Sequence, residues 1–196
     1  MERDYLPLPI TQLDSGVAFR LPAQRPSVTL TSPALDVMTD FRQTRAITTH
    51  PEATIDEANE KMIEHGVRLL LVVNGSGFVL GVVSAADILG EKPVKLMREL
   101  GIKRKEITVS ELMSGQDELD VITFESLLGA KVGHVVTTLR RAGRQHALIV
   151  ELDAQSKRQI VRGLFSASQV ARQLGVPVHT TEVARTFAEI EATLGR

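Results

Sequence analysis

The alternation of apolar and polar residues after position 53 predicts an amphipathic helix. Ile55, Ala58 and Met62 recur at helical spacing, so they would share one buried face. Thr54 and Glu57, three residues apart, match the capping box that begins many helices. The pattern therefore predicts a helix that begins next to Thr54 and packs through one face.

Two strands are predicted to follow this helix. Gly66 suits the left-handed position just after a helix end. Residues 69–73 form a short, continuously apolar run bounded by turn residues, which is typical of a strand covered on both faces. A Gly-rich turn at residues 74–77 separates this run from a second apolar run that leads into the segment GVVSAAD, residues 81–87. The first unit thus reads as helix, strand, turn, strand and helix.

The same order of elements returns from about residue 110. Gly143 follows Gly66 by 77 residues, and Gly163 follows Gly81 by 82 residues. The difference of five residues fits an insertion in the second hairpin, which a turn accommodates at small entropic cost. Self-similarity kept through several elements indicates two copies of one structural unit, and two such units normally pack on each other.

The flanking segments have different patterns. Five prolines lie among the first 33 residues and predict an extended leader, whose many apolar residues suggest that it lies along a folded surface. A linker helix is expected to begin near Pro93 and to end at Gly101. At the C-terminus one apolar helical face combines Val183, Phe187, Ile190 and Leu194.

These boundaries predict five segments. They are a leader (1–34), a first repeat (35–90), a linker helix (91–109), a second repeat (110–175) and a C-terminal helix (176–196). The apolar face of the last helix has to be covered either by its own chain or by a second subunit.

Composition places the 196-residue chain among ordinary globular proteins. Lys and Arg number 23 against 24 Asp and Glu, and the formal net charge is −1, so no general affinity for nucleic acid or an anionic membrane is expected. Cysteine is absent, which excludes disulfides and Cys-ligated zinc and fits a cytoplasmic protein. No stretch of the sequence is long and apolar enough to predict a membrane span.

The strongest candidate for chemistry is the strand-to-helix junction at Ser84 and Asp87. The hydroxyl and the unpaired N–H groups of the helix start can meet a phosphate, and a carboxylate can accept two hydrogen bonds from a vicinal diol. The second copy has Ser166 and Gln169 at these positions. Both pairs also match helix caps, and capping alone is the commoner role of such spacing. Only the first copy keeps a carboxylate, so a bound sugar would favour the Asp87 half.

Other reactive groups give little support for catalysis. The histidines lack metal-ligand spacing and carboxylate partners, so no metal site is expected. Nothing pairs a nucleophile with a positioned base, so we expect no catalytic residues and no enzyme activity. His146 lies in an apolar run, where a hydrogen-bonded core histidine is the commoner role and a phosphate contact is the alternative.

The duplicated segment resembles the cystathionine β-synthase domain, or CBS domain, over roughly residues 35–175. The resemblance rests on the order VMT, PEATIDEA, the apolar strand and the Gly-x-x-Ser-x-x-Asp segment, present twice in altered form. It implies an α/β fold with two β-α-β-β-α repeats packed sheet to sheet about a pseudo-twofold axis. It also implies a homodimer.

The resemblance implies roles for individual residues. In the family, the signature Asp holds ribose hydroxyls and the Ser contacts ribose or phosphate, roles that fall on Asp87 and Ser84. The phosphate position falls on Arg68 in the first copy and on Gln145 and His146 in the second. The residues that would frame a base are Ala46, Ile47, Val82 and Val83.

Two departures weaken the likeness. Gln169 replaces the signature Asp in the second copy, so its ribose contact would be neutral. Leu71 and Leu148 stand where the family usually has a proline in the second strand. At most one competent site is therefore expected.

Three functions compete at this point. The first is a regulatory module that senses an adenosine-containing ligand and signals to an unidentified protein partner. It would need no cofactor, and its candidate regulatory ligands are AMP, ADP, ATP and S-adenosylmethionine. The second is a constitutive interaction or dimerisation module whose cleft is ligand-free, with the leader as one occupant of that cleft. The third, an enzyme, has the least support.

Overall fold

The computed structural model describes residues 6–19, 28–176 and 190. The helices within these residues are α1 (Ile55–Glu64), α2 (Ala85–Leu89), α3 (Lys92–Leu100), α4 (Val109–Leu112), α5 (Val132–Ala142) and α6 (Ala167–Gln173). The strands are β1 (Thr39–Asp40), β2 (Thr48–Thr49), β3 (Leu69–Val73), β4 (Val79–Ser84), β5 (Ser114–Gly115), β6 (Val121–Thr123), β7 (His146–Leu152) and β8 (Gln159–Ser166). Four short 3-10 helices complete the described elements: Ala34–Val37, Arg104–Glu106, Gln116–Glu118 and Phe124–Leu127.

The strands form two four-stranded sheets of equivalent design. One has the order β2-β3-β4-β5 and the other the order β1-β8-β7-β6. In each sheet a parallel pair (β2 with β3, β6 with β7) adjoins an antiparallel hairpin. The fourth strand of each sheet comes from the other repeat, because β5 pairs with β4 and β1 pairs with β8, both antiparallel. The two repeats therefore exchange their first strands.

Two glycines make this strand exchange sterically feasible. A Cβ on Gly81 would overlap the backbone carbonyl oxygen of Ser114, and a Cβ on Gly163 would overlap that of Thr39. The neighbouring strand therefore fills the space that a side chain would occupy at each of these glycines.

Three apolar clusters hold the layers together. One lies under each sheet and its helices, centred on residues such as Ile55, Leu70 and Val83 in the first repeat and Ile149 and Phe165 in the second. The third lies between the sheets and comprises Leu69, Leu71, Val82 and Leu148. Because Leu148 belongs to the second sheet and the others to the first, this cluster packs the repeats sheet to sheet. The predicted α/β fold class is confirmed.

Local sequence signals explain the helix ends. Thr54 and Glu57 form the predicted capping box, with the Glu57 N–H donating to Thr54 Oγ1 at 3.2 Å and the Thr54 N–H donating to Glu57 Oε2 at 2.8 Å. Gly101 and Gly143 follow α3 and α5 in the left-handed conformation, with φ of 68° and 62°. These positions favour glycine because other side chains are strained there.

The flanking segments are described only in part. Residues 6–19 do not pack on the folded body, since their large apolar side chains are 58% to 98% exposed: Leu6, Leu8, Ile10, Leu13, Val17 and Phe19. The expectation that the leader lies along a folded surface is thus wrong for these residues. The predicted C-terminal helix lies outside the described residues except for Val176 and Ile190, which are buried in the second core. No helix among the described residues is long and apolar enough to cross a membrane.

Candidate functional site

A cavity of about 310 Å³ lies where the two repeats meet. Its apolar wall consists of the side chains of Phe41, Ile47, Val67, Leu69, Leu71 and Leu164. Its polar wall includes Thr39, Thr44, Arg45, Arg68, His146, Ser166, Ser168, Gln169 and Arg172. The volume is at the lower end of the range for small-molecule sites, about 300–1,000 Å³. A ligand there would contact both repeats and both sheets at once.

The charge around the cavity is positive. Arg45, Arg68 and Arg172 line it, and none of the described Asp or Glu residues does. None of these three guanidinium groups forms an ion pair with another described residue. Arginine offers hydrogen-bond donors only and stays charged at any physiological pH. The cavity therefore suits an anion that brings its own acceptor oxygens.

His146 adds a neutral polar group to this wall. Burial, followed by the positive charge of Arg68, lowers the pKa of His146 to about 4, while the negative charge of Asp87 acts in the opposite direction. The imidazole is therefore neutral at physiological pH and can donate one hydrogen bond and accept another.

Gln169 is held by the exchanged strand. Thr39 Oγ1, on β1, donates to Gln169 Oε1 at 3.0 Å across 130 positions of sequence. Ser166 forms no side-chain cap on α6, and its Oγ lies 3.1 Å from Ser168 Oγ. The capping interpretation is thus wrong for the second copy, where these side chains face a cavity.

An ion-pair network fixes the loop that borders the cavity. Arg162 on β8 donates from two nitrogens to both carboxylate oxygens of Asp40, at 2.9 and 2.7 Å, and from a third to Glu151 at 2.9 Å. Arg42 also donates to Glu151, at 2.7 Å. The hydrogen bonds from Arg162, aided by the Arg42 N–H, lower the pKa of Asp40 to about 2. This anchors β1 just before the cavity residues Phe41, Thr44 and Arg45.

The Asp87 half is organised differently. Ser84 and Asp87 form a complete capping box on α2, in which Ser84 N–H and Oγ donate to Asp87 Oδ2 at 2.9 and 2.6 Å. The other oxygen, Oδ1, accepts from the Lys92 ammonium. The capping interpretation is confirmed for this copy, and both oxygens of Asp87 already have partners.

The cavity brings together five of the ten candidate site residues. These are Ile47, Arg68, His146, Ser166 and Gln169. The other five do not line it: Ala46, Val82, Val83, Ser84 and Asp87. Val83 is fully buried in the first core, and Val82 packs between the sheets. A ligand role for these five residues, and the preference for the Asp87 half, stay predictions.

Sequence reasoning missed several polar lining residues. Thr39 belongs to the quoted VMT opening, but nothing in the sequence indicated that its strand joins the second sheet. Arg172 follows Gln169 by three residues on α6, so helical spacing could have placed both on one face. Arg45 lies in a loop, where no periodicity marks it. Among residues 6–19, 28–176 and 190, no three potential metal-ligating side chains cluster together.

Comparisons with known proteins agree with this architecture. A family model of the CBS domain matches residues 27–93. No curated protein matches the chain.

Three solved structures share the fold at low sequence identity. An uncharacterized conserved protein from Pyrococcus horikoshii is 21% identical, with a TM-score of 0.54 over 79% of this chain and 100% of that one. The CBS-domain protein ATU1752 from Agrobacterium tumefaciens is 19% identical, with a TM-score of 0.51 over 79% of this chain and 98% of that one. The CBS-domain pair of protein MJ0100, in complex with 5′-methylthioadenosine and S-adenosyl-L-methionine, is 20% identical, with a TM-score of 0.50 over 76% of this chain and 97% of that one.

Strand exchange, sheet-to-sheet packing and the duplicated unit define the fold as that of a CBS-domain pair. The described residues are therefore similar in fold to CBS-domain pairs of known structure, and the family model of the CBS domain matches residues 27–93.

Proposed function

We propose that this chain is a regulatory module that binds an adenosine-containing anion, such as AMP or ADP, in the cavity between its repeats. The observation that carries the proposal is the composition of the cavity, whose lining combines three arginines and an apolar wall and includes no described carboxylate. A phosphate would meet the guanidinium groups, and a flat base would rest against the apolar wall.

The likeness to solved structures supports the ligand class. The MJ0100 CBS-domain pair was solved with 5′-methylthioadenosine and S-adenosyl-L-methionine, so this fold accommodates adenosyl compounds. The charge of the present cavity favours nucleotides over S-adenosylmethionine, whose sulfonium and ammonium groups would lie among arginines.

The position of the cavity suggests how occupancy is transmitted. Arg45 and Arg68 come from the first repeat, whereas Gln169 and Arg172 come from the second. A ligand that contacts both repeats favours the arrangement of the repeats in which both can reach it. Binding shifts the equilibrium between arrangements only as far as the affinity of the ligand differs between them. An unidentified protein partner would bind one arrangement in preference to the other.

Thermal melting with AMP, ADP, ATP and S-adenosylmethionine tests the proposal. A ligand at about 100 times its Kd stabilises the folded state by about 2.7 kcal/mol, which raises the Tm of a chain of this size by about 5–10 °C. We expect such rises for the nucleotides and a smaller one for S-adenosylmethionine. Unchanged Tm values at millimolar concentrations of all four would contradict the proposal.

A constitutive interaction or dimerisation module is the second candidate function. The exposed apolar side chains of residues 6–19, and those of Ile63 on α1 and Leu89 on α2, favour it because such groups suit a protein contact. A homodimer is the assembly we propose in either case. None of the described leader residues lines the cavity. Removing residues 1–19 would therefore leave nucleotide binding intact under the first proposal, whereas loss of self-association alone would support the second.

A further inference from the structure

The hydrogen-bonding groups of the cavity are unbalanced in favour of donors. The three arginines contribute donors only, and no described carboxylate faces the cavity. Ser166 and Ser168 lie 3.1 Å apart and share one hydrogen bond. A bound molecule would therefore find many N–H donors, whereas the acceptors among the described lining side chains are all neutral: the hydroxyls, Gln169 and His146.

Gln169 would be the natural acceptor, since it occupies the position where the first repeat has Asp87. Its carbonyl oxygen already accepts the Thr39 hydroxyl at 3.0 Å. The side chain thus offers a ligand its NH2 group, which donates, and one remaining lone pair on a neutral oxygen, which is a weaker acceptor than a carboxylate. The Thr39 hydroxyl commits its single proton to Gln169, so toward a ligand it can act only as a neutral acceptor.

A ribose diol and a phosphate need opposite hydrogen-bonding partners. The two ribose hydroxyls are recognised best by a carboxylate, which accepts both protons in charge-assisted bonds. A phosphate has only acceptor oxygens at neutral pH and needs donors. The lining around Gln169 supplies the donors that a phosphate needs, but it offers a ribose diol only neutral acceptors and no carboxylate.

We propose that the Thr39–Gln169 pair makes this cavity select its ligand by the phosphate and not by the sugar, so that ribo- and 2′-deoxyribonucleotides bind alike. The inference rests on the proposed function, since it concerns the same cavity. Gln169 is then the residue that sets sugar specificity, because its neutral carboxamide stands where a carboxylate would hold the ribose diol.

The experiment is isothermal calorimetry of AMP and 2′-deoxy-AMP with the full chain and with Gln169→Glu. Glutamate keeps the size of the side chain and replaces its NH2 by an acceptor oxygen. The quantity compared is the ratio of the two Kd values within each protein, because a general loss of phosphate affinity affects both nucleotides and cancels. Circular dichroism and melting establish that the variant is folded.

We expect the two Kd values of the wild-type chain to agree within about twofold. In Gln169→Glu, a hydrogen bond from the 2′-hydroxyl to a carboxylate should favour AMP by about tenfold. A wild-type preference for AMP of tenfold or more overturns the inference even if Gln169→Glu fails to fold, while it leaves the proposed function standing. Absence of binding by both nucleotides overturns the inference, and the proposed function falls with it if the other ligands of the melting panel also leave the Tm unchanged.

Asp87→Asn supplies the matched substitution in the other half of the molecule. It removes a carboxylate at the equivalent position of the first repeat. If this variant alters the ratio of the Kd values and Gln169→Glu does not, the ligand lies in the Asp87 half and the inference is wrong. The expected result is a ratio that responds to residue 169 only.

Discussion

At the scale of single residues, equivalent positions of the two repeats have different partners. Asp87 caps its helix and pairs with Lys92, whereas Gln169 leaves its helix uncapped and bonds to Thr39 on the exchanged strand. The difference follows from chemistry, because a carboxylate accepts from several donors at a helix start and a longer carboxamide reaches a neighbouring strand. The ligand properties of the two halves should differ accordingly.

Protonation of His146 makes the free energy of unfolding depend on pH between about pH 6.5 and pH 4. Its pKa of about 4 in the folded state lies below the usual value of 6.5, so the unfolded chain binds the proton first as the pH falls. Stability should therefore fall by about 2 kcal/mol between pH 7 and pH 5 through this residue. Urea unfolding at both pH values measures the effect.

His146→Gln should remove most of this difference between pH 7 and pH 5. The control is His50→Gln, which alters an exposed histidine and should keep the wild-type pH dependence. The pKa of Asp40 is lowered to about 2, so the stability that its charged form contributes is lost only as the pH falls from 3.8 toward 2. This range lies below the pH 5 to pH 7 range of the comparison. Equal pH dependence in wild type and His146→Gln would show that the imidazole is not held neutral.

At the scale of elements, the exchange of two very short strands joins the repeats. β1 and β5 are two residues each, yet each completes the sheet of the other repeat. The Asp40–Arg162 ion pair adds a side-chain link between β1 and β8. Because both groups are largely buried, removal of one partner would leave an uncompensated charge.

Gly81→Ala and Gly163→Ala should each destabilise the chain by about 1–3 kcal/mol or more, since the added methyl would overlap the backbone of the exchanged strand. Gly75→Ala and Gly129→Ala are matched controls, one per repeat, because nothing lies within 4 Å of an added Cβ at either position. Their effects should stay within about 0.5 kcal/mol. Denaturant unfolding of all four variants measures this, and equal effects in the two pairs would argue against the exchange.

Helices and long strands were the elements that the sequence predicted well. Thr54, Glu57 and the helical spacing of Ile55, Ala58 and Met62 carry local information, and the helix begins where they indicate. The exchanged strands were not predicted, because two residues contain no periodicity and their pairing with a distant hairpin is decided by tertiary packing. The leader prediction failed at residues 6–19 because apolar composition alone does not specify a contact.

At the scale of the whole molecule, the duplication places one cavity across both repeats. The repeat was visible in the sequence because glycines and apolar runs recur in order. Only part of the cavity lining could be predicted from the sequence. Arg68, His146 and Gln169 were candidates, but Thr39 and Arg45 come from a segment whose position depends on strand exchange. Sites assembled across 130 positions of sequence leave no local pattern.

Calorimetric titration of AMP into three forms of the full chain tests most directly whether the arginine-lined cavity binds the nucleotide. The forms are wild type, Arg68→Gln at the cavity and Arg98→Gln, a matched change at an exposed position of α3. We expect one AMP per wild-type chain, a Kd raised about tenfold or more by Arg68→Gln through the lost charge-assisted hydrogen bond, and no change in Arg98→Gln. No binding by wild type, or equal binding by all three forms, would contradict AMP binding at the arginine-lined cavity.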